Sequence, residues 1–121
     1  MDFELNTNFI EKNSEKRLVF CVVYEPDVKD EHGDWATAED IEKAAHEFLT
    51  DHRNIGIMHQ QQPKELKLVE SWIAPLTFEW NGQVVQKGSW IVAIHIDDAE
   101  IWQAIKEGIL TGVSMQGYAA A

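Results

Sequence analysis

The dipeptide Asn81-Gly82 stands between two of the most apolar stretches of the chain, Trp72 to Trp80 and Trp90 to Ile96. Both central residues of a type I′ turn need positive φ, which Asn and Gly adopt at little cost, so this placement predicts a hairpin and therefore antiparallel sheet. Trp72 to Trp80 then reads as one long strand that Pro75 bends or holds at an edge, with Trp90 to Ile96 as its return. The β-branched and aromatic run Arg17 to Tyr24, bounded by Pro26, reads as a central strand buried on both faces. Between these strands Thr37 can cap a helix that presents Ile41, Ala44, Ala45, Phe48 and Leu49 on one face, turns His46 away and stops near Asp51 to Asn54. A short strand, Ile55 to His59, follows, and Gln60-Gln61-Gln62-Pro63 is a polar break. A second helix begins at Asp97, with Glu100 in capping-box spacing, presents Ile101, Trp102 and Ile105, and ends at Gly108. Ile109 to Tyr118 is the last strand. The expected fold is α+β, mainly an antiparallel β-sheet curling towards a barrel with two flanking helices.

The 121 residues suit one domain. Residues 1–16 mix polar and charged types without period and read as a flexible lead-in to a single domain over 17–121. A formal charge of −11, from 21 acids against 10 bases, disfavours nucleic acid and anionic membranes as partners. No run approaches the roughly 20 apolar residues of a membrane span, and the N-terminus lacks a basic region followed by an apolar one, so a cytoplasmic origin is expected. The lone Cys21 lies in the strand Leu18 to Val23 and reads as a buried, inert thiol. Zinc spacings, a Walker-type loop and a dinucleotide fingerprint are all missing, so no cofactor and no metal is expected.

The chemical lead is a serine and a histidine at the ends of distant apolar runs. Ser114 sits between Gly112 and Gly117 in the last strand, and His59 ends Ile55-Gly56-Ile57-Met58-His59. A serine hydroxyl is a poor nucleophile until an imidazole within hydrogen-bond reach takes its proton, and nearby glycines leave room for a substrate backbone. Residue types alone do not separate this pair from a packed structural serine and an unrelated histidine.

Resemblance separates them. The segments Val23-Tyr24-Glu25-Pro26-Asp27-Val28-Lys29-Asp30-Glu31-His32-Gly33-Asp34-Trp35, Ala38-Glu39-Asp40-Ile41-Glu42-Lys43-Ala44-Ala45 and Asn54 to His59 occur in the order of the XkdF-type phage serine proteases. So do Trp72-Ile73-Ala74-Pro75, Lys87-Gly88-Ser89-Trp90, Ile101-Trp102 and Lys106 to Ser114. The resemblance runs from about Leu18 to Tyr118. That family is similar to the prohead maturation proteases of tailed phages. The resemblance implies a herpesvirus-protease-like barrel, Ser114 as nucleophile and His59 as general base. It further implies phage scaffold and major capsid proteins, and the protein's own tail, as substrates, with action in the host cytoplasm inside the assembling prohead. In relatives the chain continues beyond the serine strand, where the third catalytic member and the oxyanion-binding backbone are expected. A chain ending at Ala121 is therefore expected to be trimmed, with the third member unknown; an upstream carboxylate such as Asp51 or Glu70 is the alternative. Because that fold's last strands would lie beyond Ala121, an unpaired sheet edge and a possible homo-oligomer are also expected.

Two other readings stay open. One is a noncatalytic phage structural or assembly module with the same fold. The other is a Ca²⁺-dependent module built on the acidic loop Asp27 to Asp34, which lacks the alternating carboxylates of an EF-hand and also suits a turn or a substrate-groove rim. His52 reads as a helix-end cap, His32 as an offset to neighbouring carboxylates, and His95 as a structural histidine beside Asp97 and Asp98, although herpesvirus-type relatives can use a second histidine as third member. The tryptophans read as core rather than as a ligand platform. A Ca²⁺-dependent module would show a melting temperature that rises with added Ca²⁺, and Asp30→Ala with Asp34→Ala would remove the rise.

Overall fold

The computed structural model describes residues 2–29, 35–52, 54–57 and 66–118. Its elements are β1 (Asp2–Asn13), β2 (Leu18–Tyr24), α1 (Ala38–Glu47), β3 (Asn54–Ile57), β4 (Leu66–Ile73), β5 (Phe78–Trp80), β6 (Gln83–Val85), β7 (Trp90–Ile96), α2 (Ala99–Lys106) and β8 (Gly112–Tyr118). Six strands make one sheet in the order β3-β8-β1-β2-β7-β4, every neighbouring pair antiparallel, and β5 with β6 forms a separate hairpin. The outer strands β3 and β4 approach one another, so the sheet curls as expected of this α+β chain.

One sheet face carries Leu5, Val19, Cys21, Val23, Val92, Ile94, Val113 and Met115. It packs against Ile41 and Ala45 of α1, Phe48 just beyond it, and Trp102 and Ile105 of α2. Thr37 caps α1 by accepting from Asp40 N at 3.2 Å. After Glu47 the chain continues as a π-helical turn, Phe48–His52, within the expected stop. Phe48 meets Trp90 edge-on at 5.5 Å between ring centroids. The opposite face carries Ile10, Phe20, Val22, Trp72 and Ile91 under Phe78, Trp80 and Val85 of the hairpin. Trp72, Phe78 and Trp80 stack at centroid distances of 5.9 to 6.5 Å. The tryptophans are therefore largely structural, Trp35 excepted, which is exposed.

Four expectations are corrected. The segment taken as a lead-in is β1, a strand inside the sheet that pairs with β8 through Asp2–Asn8 and with β2 from Phe9 onward. Leu5, Thr7 and Phe9 alternate onto the helix face with Ile10 on the other, and a bulge between Phe9 and Glu11 then shifts the phase by setting Glu11 opposite Phe20, which breaks the period-two pattern. Trp72 to Trp80 is two strands in different sheets: the chain leaves the main sheet at Ala74, whose N donates to Ser89 O and whose O accepts from Gly88 N, and Pro75 follows with no N–H to continue a ladder. The Asn81-Gly82 turn forms, with φ of +47° and +79°, but its return strand is β6; β7 pairs with β2 and β4. Asn81 also ties the hairpin down through Nδ2 to Ile10 O at 2.8 Å.

The cap of α2 is Asp98, which accepts from Ile101 N at 3.0 Å, rather than Asp97. Asp97 instead takes Lys67 Nζ and His95 Nδ1, each at 2.8 Å. The Lys67 hydrogen bond holds the Asp97 carboxyl below its ordinary value, with the nearby imidazole adding to the effect.

Two predictions follow from these contacts. Gly82 and Gly88 both have positive φ, but a Cβ at Gly82 meets nothing, whereas one at Gly88 would lie 3.0 Å from Ala38 Cβ. Urea unfolding should show Gly82→Ala costing about 1 kcal/mol of left-handed strain, and Gly88→Ala costing roughly 1–3 kcal/mol more from overlap. A carboxyl whose folded pKa is depressed contributes stability above its unfolded pKa and loses it as pH falls through the folded value. Asp97→Asn should therefore lower the urea midpoint at neutral pH, with the gap to the parent protein closing as the solution is acidified through and below the ordinary carboxylate range.

Candidate functional site

Ser114 lies within β8, directly opposite Asn6 of β1 on one side and Gly56 of β3 on the other. Directly opposed residues share a sheet face with Cβ atoms roughly 4.5–5.5 Å apart, so the Ser114 and Asn6 side chains are neighbours. Val113 and Met115 turn the other way, into the core under the helices. The row through Ser114 is thus Gly56, Ser114, Asn6: a position with no side chain, a hydroxyl and an amide. Gly56 contributes no side chain to this row, and the Asn6 amide can donate two N–H bonds. Ser114 is fully buried, with 0% of its surface exposed, and it is not without a partner. β8 is paired on both sides, and among the described residues the sheet edges are β3 and β4.

His59 lies outside the described residues. β3 ends two residues before it in the sequence. The fold therefore sets the strand that leads to the histidine directly against the strand that carries the serine.

The suggested third members fare differently. Asp51 is exposed in the π-helical turn, and Glu70 is exposed on β4 opposite Ala93. His95 is opposite Leu18, and Leu18 is opposite Asn13. Asn13 is seven residues along β1 from Asn6, or roughly 23 Å at 3.3 Å per residue, so His95 is at the far end of the sheet from Ser114. It belongs to the Asp97 and Lys67 cluster as a structural group. Burial pushes the Cys21 thiol far above its ordinary value, which leaves it inert as expected. Of the acidic loop, 30–34 lie outside the described residues; among the described residues no cluster of His, Cys, Asp and Glu is arranged to hold a metal ion.

Asn6 is the residue that sequence reasoning missed. Its only sequence signal is its place between Leu5 and Thr7 in a short alternation that the bulge soon interrupts.

The model of a family described as "Putative phage serine protease XkdF" matches residues 6–121. Two Bacillus subtilis (strain 168) proteins are similar to the chain. An uncharacterized protein, YqbD, is 45% identical over 119 residues, covering 98% of this chain and 37% of its own length. The phage-like element PBSX protein XkdF is 47% identical over 108 residues, covering 89% of this chain and 39% of its own length. The chain thus spans less than two fifths of these relatives. No solved structure matches. Among the described residues no helix is long and apolar enough to cross a membrane.

Proposed function

Because the chain belongs to the XkdF family of phage proteins, we propose that it is the catalytic domain of a serine endopeptidase that matures phage or prophage proheads. Ser114 Oγ attacks a peptide carbonyl while His59 takes its proton. His59 then gives that proton to the leaving amine, and a water, deprotonated by the same imidazole, releases the acyl group. The barrel is read as herpesvirus-protease-like. Substrates are scaffold and major capsid segments and the protein's own tail, cleaved in the host cytoplasm inside the assembling prohead. Confinement there raises the local substrate concentration, so a modest turnover suffices.

The observation that carries this reading is the register of β3 on β8, with Gly56 opposite Ser114 and the chain running on towards His59. Gly56 contributes no Cβ there, which removes one obstacle to a substrate backbone beside the hydroxyl. Ser114 is fully buried, so on this reading a peptide reaches the hydroxyl only in a conformation that exposes it. The same burial favours the competing reading, a noncatalytic assembly module that keeps the fold.

A fluorophosphonate probe applied to the native-length protein, with the adduct mapped by mass spectrometry, distinguishes the two. The endopeptidase reading expects a Ser114 adduct whose formation slows by on the order of 10³-fold or more in His59→Ala. No adduct at Ser114 in the folded native-length protein establishes the module instead.

A further inference from the structure

β1 is shared between two partners, and it changes from one to the other partway along. Residues Asp2–Asn8 pair with β8, while pairing with β2 begins only at Phe9 opposite Cys21. N-terminal to Phe9 the two strands part, and Thr7 Oγ1 bridges them by donating to Val22 O at 2.8 Å. A cavity of about 160 Å³ opens where they part, lined by Leu5, Asn6, Val22, Val23, Tyr24, Glu25, Val28 and Lys29. A cavity of about 150 Å³ holds a benzene-sized group, so this one matches a single side chain rather than a whole ligand.

Its position matters more than its size. Asn6 lines the cavity and is also the direct cross-strand neighbour of Ser114, so the cavity begins one residue from the hydroxyl, on the far side of Asn6 from Gly56. Four of its eight lining residues, Leu5, Val22, Val23 and Val28, are aliphatic, and Tyr24 adds an aromatic ring. Its two charged members, Glu25 and Lys29, are of opposite sign and leave no net charge to select an acid or a base.

Resting on the endopeptidase reading, we infer that the cleft between β1 and β2 is the substrate pocket that seats the uncharged apolar side chain, of about leucine or phenylalanine size, next to the scissile bond. Asn6 divides the hydroxyl from this pocket, and Val28, itself 47% exposed, forms part of its outer wall. The −11 charge of the chain does not dictate a basic residue at this position, because the local charges cancel.

The test uses the native-length protein and a panel of N-acetyl dipeptidyl diphenylphosphonates that carry glycine, leucine, phenylalanine, lysine or aspartate analogues at the phosphorus. In the labelling step the Ser114 Oγ–P bond forms, a P–O bond to phenoxide breaks, and the hydroxyl proton leaves with it as phenol. The leucine or phenylalanine probe should label Ser114 about tenfold or more faster than the glycine, lysine and aspartate probes. Val28→Trp, which fills the pocket from its exposed wall, should lower the leucine-to-glycine rate ratio by about tenfold. Lys29→Glu, an exposed change that makes the rim acidic, should raise the lysine-to-leucine ratio. Circular dichroism and a melting curve establish that both variants are folded. Equal rates across the panel, or ratios that neither variant moves, overturn the pocket while leaving Ser114 reactive to the fluorophosphonate. Failure of every probe and of the fluorophosphonate overturns the endopeptidase reading and the pocket together.

Discussion

The structure hangs on the backbone ladder of β1. This strand spends its first half bonded to β8 and its second half bonded to β2, so it alone joins β3-β8 to β2-β7-β4. A strand that trades partners midway must twist away from one as it meets the other, and the bulge between Phe9 and Glu11 supplies the extra turn. Ile10 lands under the aromatic hairpin, where its carbonyl also accepts from Asn81, while Leu5 and Phe9 stay with the helices. Both hydrophobic clusters are thus stitched to the same strand, and loss of its ladder would leave a narrow β3-β8 pair with little to pack on.

The candidate site inherits its form from that exchange. Where β1 is still committed to β8 it delivers Asn6 to Ser114, and where it has not yet met β2 it leaves a gap. A hydroxyl held between two ladders is fixed in place by backbone geometry rather than by side-chain packing, which favours the orientation demanded of a nucleophile. Paired with β3 on one side and β1 on the other, β8 has no free edge by which to open.

The elements that could be read from the sequence are those whose local signal and tertiary role agree. β2 and β7 are continuous apolar runs at the middle of the sheet, and α1 shows both its Thr37 cap and its buried stripe. The elements that escaped are those where local and tertiary signals conflict. β1 alternates for only a few residues before the bulge changes its phase. β6 is a three-residue strand with two exposed positions, so the longer apolar run of β7 looks like the natural partner of the turn. Asp97 and Asp98 are equivalent by composition, and only the folded chain separates them, with Asp98 capping the helix and Asp97 meeting Lys67. Of the candidate site, Ser114 could be proposed from family order, residue types alone not separating it from a structural serine. Its neighbour Asn6 could not, because cross-strand proximity between residues so far apart in the chain leaves no local trace.

Full burial of Ser114 would end a catalytic reading if its surroundings were apolar, since a hydroxyl sealed among aliphatic groups is a space-filler that costs about 1–3 kcal/mol to desolvate. The row it occupies is not of that kind. On its own face the ladder sets it between a position with no side chain and an amide, while the apolar residues that flank it in sequence, Val113 and Met115, point to the opposite face. A core strand optimised for packing alone gains more from a β-branched aliphatic side chain at this place than from serine beside glycine and asparagine. Local polarity that packing does not require, one residue from a cavity of side-chain size and on the strand adjoining the one that leads to His59, is the combination that favours chemistry over structure at Ser114.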